Sequence, residues 1–170
     1  LAERNPSCNY IGVDIKGARL WKGAKYAEEH GLSNVGFLRT RIEFIESLFA
    51  PGEVSEIWIT FADPQIGREK KRLTAPLFMS RYRNFLKPGG IIHLKTDSRY
   101  LHEYSRAMAE QNGLHILAAA TDIYGADRER LYESEFSSIC GRAAVDALFE
   151  VQTFYESQYL AQGFQITYLA

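Results

Sequence analysis

Three acidic residues follow short apolar runs of the sequence. Asp14 is the next-to-last residue of the run NYIGVDI, Asp63 comes shortly after VSEIWITF, and Asp97 comes directly after IIHLKT. Short apolar runs rich in β-branched and aromatic residues predict buried strands. Because α/β proteins bind their ligands at the carboxyl ends of parallel strands, we expect these three carboxylates to line one cleft.

Asp14 is the candidate for binding a ribose. A carboxylate at the end of a strand in a nucleotide-binding α/β unit accepts hydrogen bonds from both ribose hydroxyls. The alternative is that Asp14 caps the helix that follows it. No GxG pattern precedes Asp14, and residues 1–6 resemble the tail of the helix that would follow a glycine-rich turn. We therefore expect the strand and glycine loop that normally come first to be missing from this sequence.

A strongly basic segment follows Asp63. Between Gln65 and Arg106 the sequence has ten basic and three acidic residues, although the whole chain has a net charge of −1. Four of the basic residues come directly after Asp63 and Pro64: Arg68, Lys70, Lys71 and Arg72. Clustered Lys and Arg bind the phosphates of nucleic acids, so we expect these side chains to border the cleft and contact RNA. A solvated helix face is the alternative.

Strand and helix patterns alternate along the chain. Strands are predicted at residues 9–15, 35–38, 54–61, 91–96, 115–121 and 164–169, and helices at 18–30, 42–48, 73–86, 100–112 and 151–160. Residues 87–90 predict a turn. Residues 125–150 predict an acidic, irregular or helical excursion without a chemical signature. This alternation indicates an α/β fold with a mostly parallel sheet, helices on both faces and right-handed crossovers.

Composition narrows the class of protein. A chain of 170 residues with 46% hydrophobic residues predicts one globular domain. It contains neither a long apolar run nor a signal-peptide pattern, so we expect a cytoplasmic protein that does not bind membranes. Cys8 and Cys140 stand far apart, and the four histidines form no ligand pattern, which predicts no metal site.

Several aromatic residues fall at core-facing spacings within their predicted elements. They are Trp21, Trp58, Phe61, Tyr82 and Phe85, and we expect them to pack in the core rather than stack on bases. His93 lies in the predicted strand at residues 91–96 and follows its alternating pattern. This pattern favours a half-buried structural histidine over a catalytic base.

The order and spacing of five motifs resemble those of the tRNA (guanine-N7-)-methyltransferase family. The motifs are NYIGVDI, FLRTRIEFI, ITFADPQ followed by KKR, LKPGGIIHLKTD, and QTFYE. LKPGG occurs in many methyltransferases, whereas the DPQ motif with its basic run, TD and TFYE together are specific. The resemblance implies a Rossmann-like class I methyltransferase domain over residues 1–170. It also implies S-adenosyl-L-methionine as methyl donor, no metal, and transfer to N7 of a variable-loop guanine in tRNA.

The resemblance also implies roles for individual residues. For the donor these are Asp14 at the ribose, Arg41 and Ile42 at the adenine, and Asp63 near the methionine end and the transferred methyl. For the substrate they are Asp97, Thr153 and Glu156 at the guanine, and Arg68, Lys70 and Lys71 at the tRNA backbone. Asp63 and Asp97 are the candidate catalytic residues. Asp97 could instead cap the helix that follows it.

The sequence departs from the family pattern at three positions. Ala62 replaces a proline, Gly67 stands where a lysine is common, and Arg41 replaces an acid, so Glu43 or the backbone is a second candidate for the adenine contact. Two other functions remain open, a methyltransferase for a small molecule and a non-catalytic RNA-binding module of the same fold. A nicotinamide-dependent oxidoreductase fits less well, because TFYE and the basic run would have no function in such an enzyme.

Overall fold

The computed structural model describes all residues from Leu1 to Ala170. The chain forms two compact units, Leu1–Ala50 and Pro51–Ala170. Each unit has its own sheet, and the two are described in turn. The assignment of residues 1–170 to one methyltransferase domain stays a prediction.

The first unit is a β-α-β arrangement followed by a 3₁₀ helix. Its elements are β1 (Tyr10–Asp14), α1 (Gly17–Glu29), β2 (Val35–Arg39) and the 3₁₀ helix Ile42–Leu48. β1 and β2 pair in parallel. The Phe37 ring fits between strand and helix because both neighbours are glycines: a Cβ on Gly23 or Gly12 would approach the ring to 2.7 or 2.9 Å. Gly31, with φ of +64°, ends the helix as predicted.

The second unit carries a four-stranded sheet and six helices. Its strands are β3 (Val54–Thr60), β4 (Leu86–Thr96), β5 (Ala119–Ala120) and β6 (Thr167–Leu169). Its helices are α2 (Pro76–Arg83), α3 (Arg99–Gln111), α4 (Arg128–Tyr132), α5 (Glu135–Cys140), α6 (Arg142–Glu150) and α7 (Phe154–Ala161). The strand order is β3-β4-β6-β5. β3 and β4 are parallel, while β6 is antiparallel to both of its neighbours, so this sheet is mixed and not mostly parallel as predicted.

The predicted turn at residues 87–90 lies inside β4 as a bulge. Val54 pairs with Leu86 and Glu56 pairs with Ile91, so four residues of β4 face one residue of β3. Gly89 has φ of +73°, which glycine adopts without strain. The KPGG motif therefore bends a continuous strand instead of separating a helix from a strand.

The helices α4, α5 and α6 contribute to the core of the second unit. Their buried side chains are Leu131, Phe136, Val145, Leu148 and Phe149, and they cluster with Ile166 and Tyr168 near the end of the chain. The stretch at residues 125–150, predicted as an irregular or helical excursion, is therefore helical and contributes to the core. Their apolar side chains cover one part of the sheet, and burying them is what stabilises three such short helices.

Four of the five aromatic residues predicted to lie in the core are buried or partly buried, but the Trp21 side chain is 62% exposed. His93 is buried more completely than expected. Its ring stacks on Trp58 at 3.9 Å, and its Nδ1 lies 2.8 Å from the Tyr168 hydroxyl. No helix in the structure has the length and apolar character needed to cross a membrane.

Candidate active site

The structure brings Asp63 and Asp97 to the same edge of the sheet in the second unit. Thr60, the last residue of β3, pairs with Lys95 of the parallel strand β4. The loops that carry Asp63 and Asp97 therefore both begin at the carboxyl ends of neighbouring parallel strands, where α/β proteins bind ligands. Asp14 belongs to the first unit, so the cleft lined by three acids stays a prediction.

The loop around Asp63 has an unusual backbone. Phe61 and Gln65 have φ of +49° and +48°, values that cost non-glycine residues about 1–3 kcal/mol each. The exposed Asp63 carboxylate accepts a hydrogen bond from the Gln65 backbone N–H at 2.8 Å. The Phe61 N–H donates to the Lys95 carbonyl at 2.9 Å, which fastens the start of the loop to β4. Backbone of this kind is typical of functional sites, where surrounding contacts hold it in place.

Asp97 lies between the end of β4 and the start of α3, and it is partly exposed. The N-cap of α3 is Ser98, whose hydroxyl accepts a hydrogen bond from the Leu101 N–H at 3.2 Å. The alternative in which Asp97 caps this helix is therefore wrong. The Asp97 carboxylate is not needed to start α3, so a ligand can use it without cost to the helix.

Thr153 and Glu156 form a capping box at the start of α7. The Thr153 hydroxyl accepts from the Glu156 N–H at 3.1 Å, and a Glu156 carboxylate oxygen accepts from the Thr153 N–H at 3.2 Å. The sequence T-x-x-E is the signature of this motif. Glu156 is fully buried, and its second oxygen also accepts from the Tyr124 hydroxyl at 2.8 Å. The predicted guanine-binding acid thus already has internal partners.

Lys95 is a residue of the site that the sequence did not reveal. Its Nζ lies 2.5 Å from the carboxylate of Glu156, and the two side chains are 3% and 0% exposed. The same ammonium donates to the carbonyls of Leu148 at 2.5 Å and Val151 at 3.5 Å. Burial lowers the pKa of Lys95, and the hydrogen bond and charge of Glu156 oppose this change. Lys95 therefore joins the end of β4, two residues before Asp97, to the start of α7.

The basic run after Asp63 divides into exposed and buried members. Arg68, Lys70 and Lys71 are exposed around the 3₁₀ turn Glu69–Lys71, as a surface that contacts phosphates requires. Arg72 is only 4% exposed. The run is therefore not one uniform face, and whether its exposed members bind RNA stays a prediction.

The predicted ribose acid, Asp14, is held at the end of β1. One carboxylate oxygen accepts from the Lys16 N–H at 2.8 Å, and the other lies 3.3 Å from the guanidinium of Arg19. The N-cap of α1 is Lys16, so Asp14 is not the helix cap. The Asp14 side chain is 25% exposed.

Arg41 and Ile42, the predicted adenine neighbours, lie at the start of the 3₁₀ helix in the first unit. The Arg41 guanidinium is 3.4 Å from Glu43 and lies over the Phe44 ring at 6.0 Å. Ile42 is partly buried. In neither unit do three or more His, Cys, Asp or Glu side chains group in a way that could hold a metal ion.

Comparison with known proteins assigns the chain to a family. Residues 1–135 match a family described as "Putative methyltransferase". The tRNA (guanine-N(7)-)-methyltransferase of Christiangramia forsetii is 51% identical over 99% of this chain and 70% of its own length. The chain belongs to the tRNA (guanine-N7-)-methyltransferase family.

Other members of the family extend beyond the matched region. The Bacteroides thetaiotaomicron and Porphyromonas gingivalis members are 47% and 45% identical over 96% and 100% of this chain. The chain spans 59% and 64% of the length of these two relatives. A crystal structure of a SAM-dependent methyltransferase from Aquifex aeolicus shares the fold, with a TM-score of 0.53 at 13% identity over 66% of this chain and 62% of that one. The predicted α/β methyltransferase fold is confirmed.

Proposed function

We propose that this chain transfers the methyl group of S-adenosyl-L-methionine to N7 of a guanine in tRNA. The main support for the proposal is that Asp63 and Asp97 lie at the same edge of the sheet. Near this edge, Lys95 binds Glu156 of the TFYE segment. The names of the relatives give the reaction and substrate. A tRNA substrate is consistent with a protein that acts in the cytoplasm.

The residues of the first unit fit one end of the methyl donor. Asp14 stands at the carboxyl end of a parallel strand and keeps part of its side chain exposed, as binding a ribose requires. Arg41 and Ile42 would lie against the adenine, and Asp63 would face the methionine end. When bound, the donor supplies an electrophilic methyl group on a positively charged sulfur.

The reaction places modest demands on the protein. Guanine N7 carries a lone pair, so it attacks the methyl carbon directly, and the electrons of the broken C–S bond return to sulfur. No proton has to be removed first. Holding N7 in line with the methyl and sulfur is therefore the main contribution of the site.

Asp97 is our candidate for holding the guanine. Its carboxylate would accept hydrogen bonds from N1–H and the exocyclic amine, which identifies the base and directs electron density toward N7. Thr153 and Glu156 would complete this pocket through the N-terminus of α7. Because Glu156 already binds Lys95 and Tyr124, we propose that it holds the start of this helix in place beside the base.

The exposed cations after Asp63 would bind the tRNA backbone. Arg68, Lys70 and Lys71 lie on a short turn that follows the Asp63 loop. Contacts from these side chains to phosphates would position the RNA without reading its sequence.

Methyl transfer from labelled donor to bulk tRNA, followed by nucleoside analysis, tests the proposal. The wild-type chain should form 7-methylguanosine. Asp97→Asn should reduce its formation by roughly 100-fold, because a guanine held in the wrong position no longer has N7 in line with the methyl and sulfur. Glu110→Gln, which removes an exposed acid of α3, is the matched control and should keep full activity. Donor affinity, measured by calorimetry, should be unchanged in Asp97→Asn. Absence of 7-methylguanosine with the wild-type chain would refute the proposed function.

A further inference from the structure

Arg72 differs from the other cations of the basic run in its surroundings. Its guanidinium lies over the rings of Tyr100 and Tyr104, at 4.9 and 4.3 Å from the ring centroids. Both tyrosines belong to α3, the helix that begins just after Asp97. A guanidinium that lies over two aromatic rings and is only 4% exposed is poorly placed to reach a phosphate in solvent.

The hydrogen bonds of Arg72 point at the Asp63 loop. Nε donates to the Pro64 carbonyl at 3.0 Å, and Nη2 donates to the Gln65 carbonyl at 3.5 Å and the Tyr100 hydroxyl at 2.5 Å. Pro64 and Gln65 are the two residues after Asp63. One side chain therefore connects the loop that carries Asp63 to the helix that follows Asp97.

This connection matters because the loop does not hold its shape by itself. Phe61 and Gln65, on either side of Asp63, both have positive φ, and such backbone persists only where neighbouring contacts fix it. The hydrogen bond from Gln65 N–H to the Asp63 carboxylate lies within the loop and cannot place it on the sheet. The Phe61 N–H fastens the start of the loop to β4, and Arg72 supplies the external contact on the other side of Asp63, at Pro64 and Gln65. The Tyr104 hydroxyl donates to Glu69 at 3.0 Å and holds the turn before Arg72.

We infer that Arg72 is a positioning residue, which fixes the Asp63 loop relative to the Asp97 edge and does not bind tRNA. The inference rests on the proposed function for its effect on the reaction. Lysine cannot replace arginine here, because the contacts require a planar group that stacks on rings and donates in several directions at once. The role therefore depends on the shape of the guanidinium as well as on its charge.

The experiment compares Arg72→Lys and Arg72→Ala with Lys71→Ala, a neighbour in the run that is exposed. Arg72→Lys should lower kcat for methyl transfer roughly 10- to 100-fold, because displacement of the loop misaligns the reacting groups. Its KM for tRNA and the salt dependence of tRNA binding should stay at the wild-type values. Amide hydrogen exchange over residues 61–66 should become faster. Lys71→Ala should instead reduce the salt slope by about 1 and leave that exchange unchanged.

Two results would overturn the inference: wild-type kcat and loop exchange in Arg72→Lys, or a salt slope in Arg72→Ala that falls as it does in Lys71→Ala. Tyr104→Leu keeps the charge of Arg72 while removing one ring, and it should also accelerate exchange over residues 61–66. This variant tests the positioning role through loop exchange if Arg72→Ala does not fold. If the wild-type chain forms no 7-methylguanosine, the proposed function fails, while hydrogen exchange and the salt slope still test Arg72.

Discussion

Replacing Lys95 by methionine would show how much the buried ion pair with Glu156 contributes to stability. Methionine fills the volume of the lysine stem without its charge. The change leaves the fully buried Glu156 with only the Tyr124 hydroxyl and the Thr153 N–H as partners for its carboxylate. Removing one partner of such a pair costs about 3–5 kcal/mol. For a chain of this size the melting temperature should fall by roughly 6–20 °C.

The matched control removes both charges. Lys95→Met combined with Glu156→Leu leaves no unpaired buried ion. It loses the reciprocal bond of the capping box, worth about 1 kcal/mol, and the hydrogen bonds of the pair to the Tyr124 hydroxyl and to the carbonyls of Leu148 and Val151. Urea unfolding followed by tryptophan fluorescence measures the free energy of unfolding of wild type, both single variants and the double variant. We expect the double variant to be more stable than Lys95→Met. A double variant whose loss equals the sum of the two single losses would show that the residues are not coupled, and a loss below about 1 kcal/mol for Lys95→Met would refute the reasoning.

Two further predictions concern β4. Gly90→Ala should lower the free energy of unfolding, measured by urea unfolding, by about 1–3 kcal/mol. The reason is that the added Cβ would lie 2.7 Å from the Leu86 side chain and 2.9 Å from the Lys87 carbonyl. A variant as stable as the wild type would show that the bulge is not tightly packed. Burial lowers the pKa of His93, so as pH falls below about 6.5 the unfolded chain takes up a proton that the folded chain does not. Stability should therefore decrease with falling pH in that range, and His93→Gln should weaken this dependence in pH-dependent urea unfolding, whereas an unchanged slope would contradict it.

The elements predicted with most success are those with a clear hydrophobic period. β1, α1 and β3 lie within a residue or two of their predicted bounds, because each combines periodic apolar residues with a turn or stop signal. The direction of β6 could not be predicted, since an apolar run has the same pattern in parallel and antiparallel strands. The short helices of residues 125–150 could not be distinguished from irregular structure, because five to nine residues hold too few turns to show a period.

The candidate site was predicted in part. Strand-end acids are visible in the sequence, which is why Asp63 and Asp97 were placed at one edge. The sequence does not show whether Lys95, near the end of its strand, is buried or exposed. Its burial is explained only by its contact with Glu156, which the structure reveals. The burial of Arg72 cannot be predicted, because a run of like charges does not indicate which member points inward.

In the sheet, β6 lies between β4 and β5, although it is the last of these strands to be synthesised. This order delays the completion of folding. During synthesis β4 and β5 leave the ribosome well before β6, so the edge of β4 that pairs with β6 stays without its partner. The contact between His93 and Tyr168 spans 75 residues of sequence. Such long-range pairing makes folding slow. The second unit therefore completes its sheet only after translation has passed Leu169. Until then the nascent chain exposes an unpaired strand edge, which can aggregate with other chains.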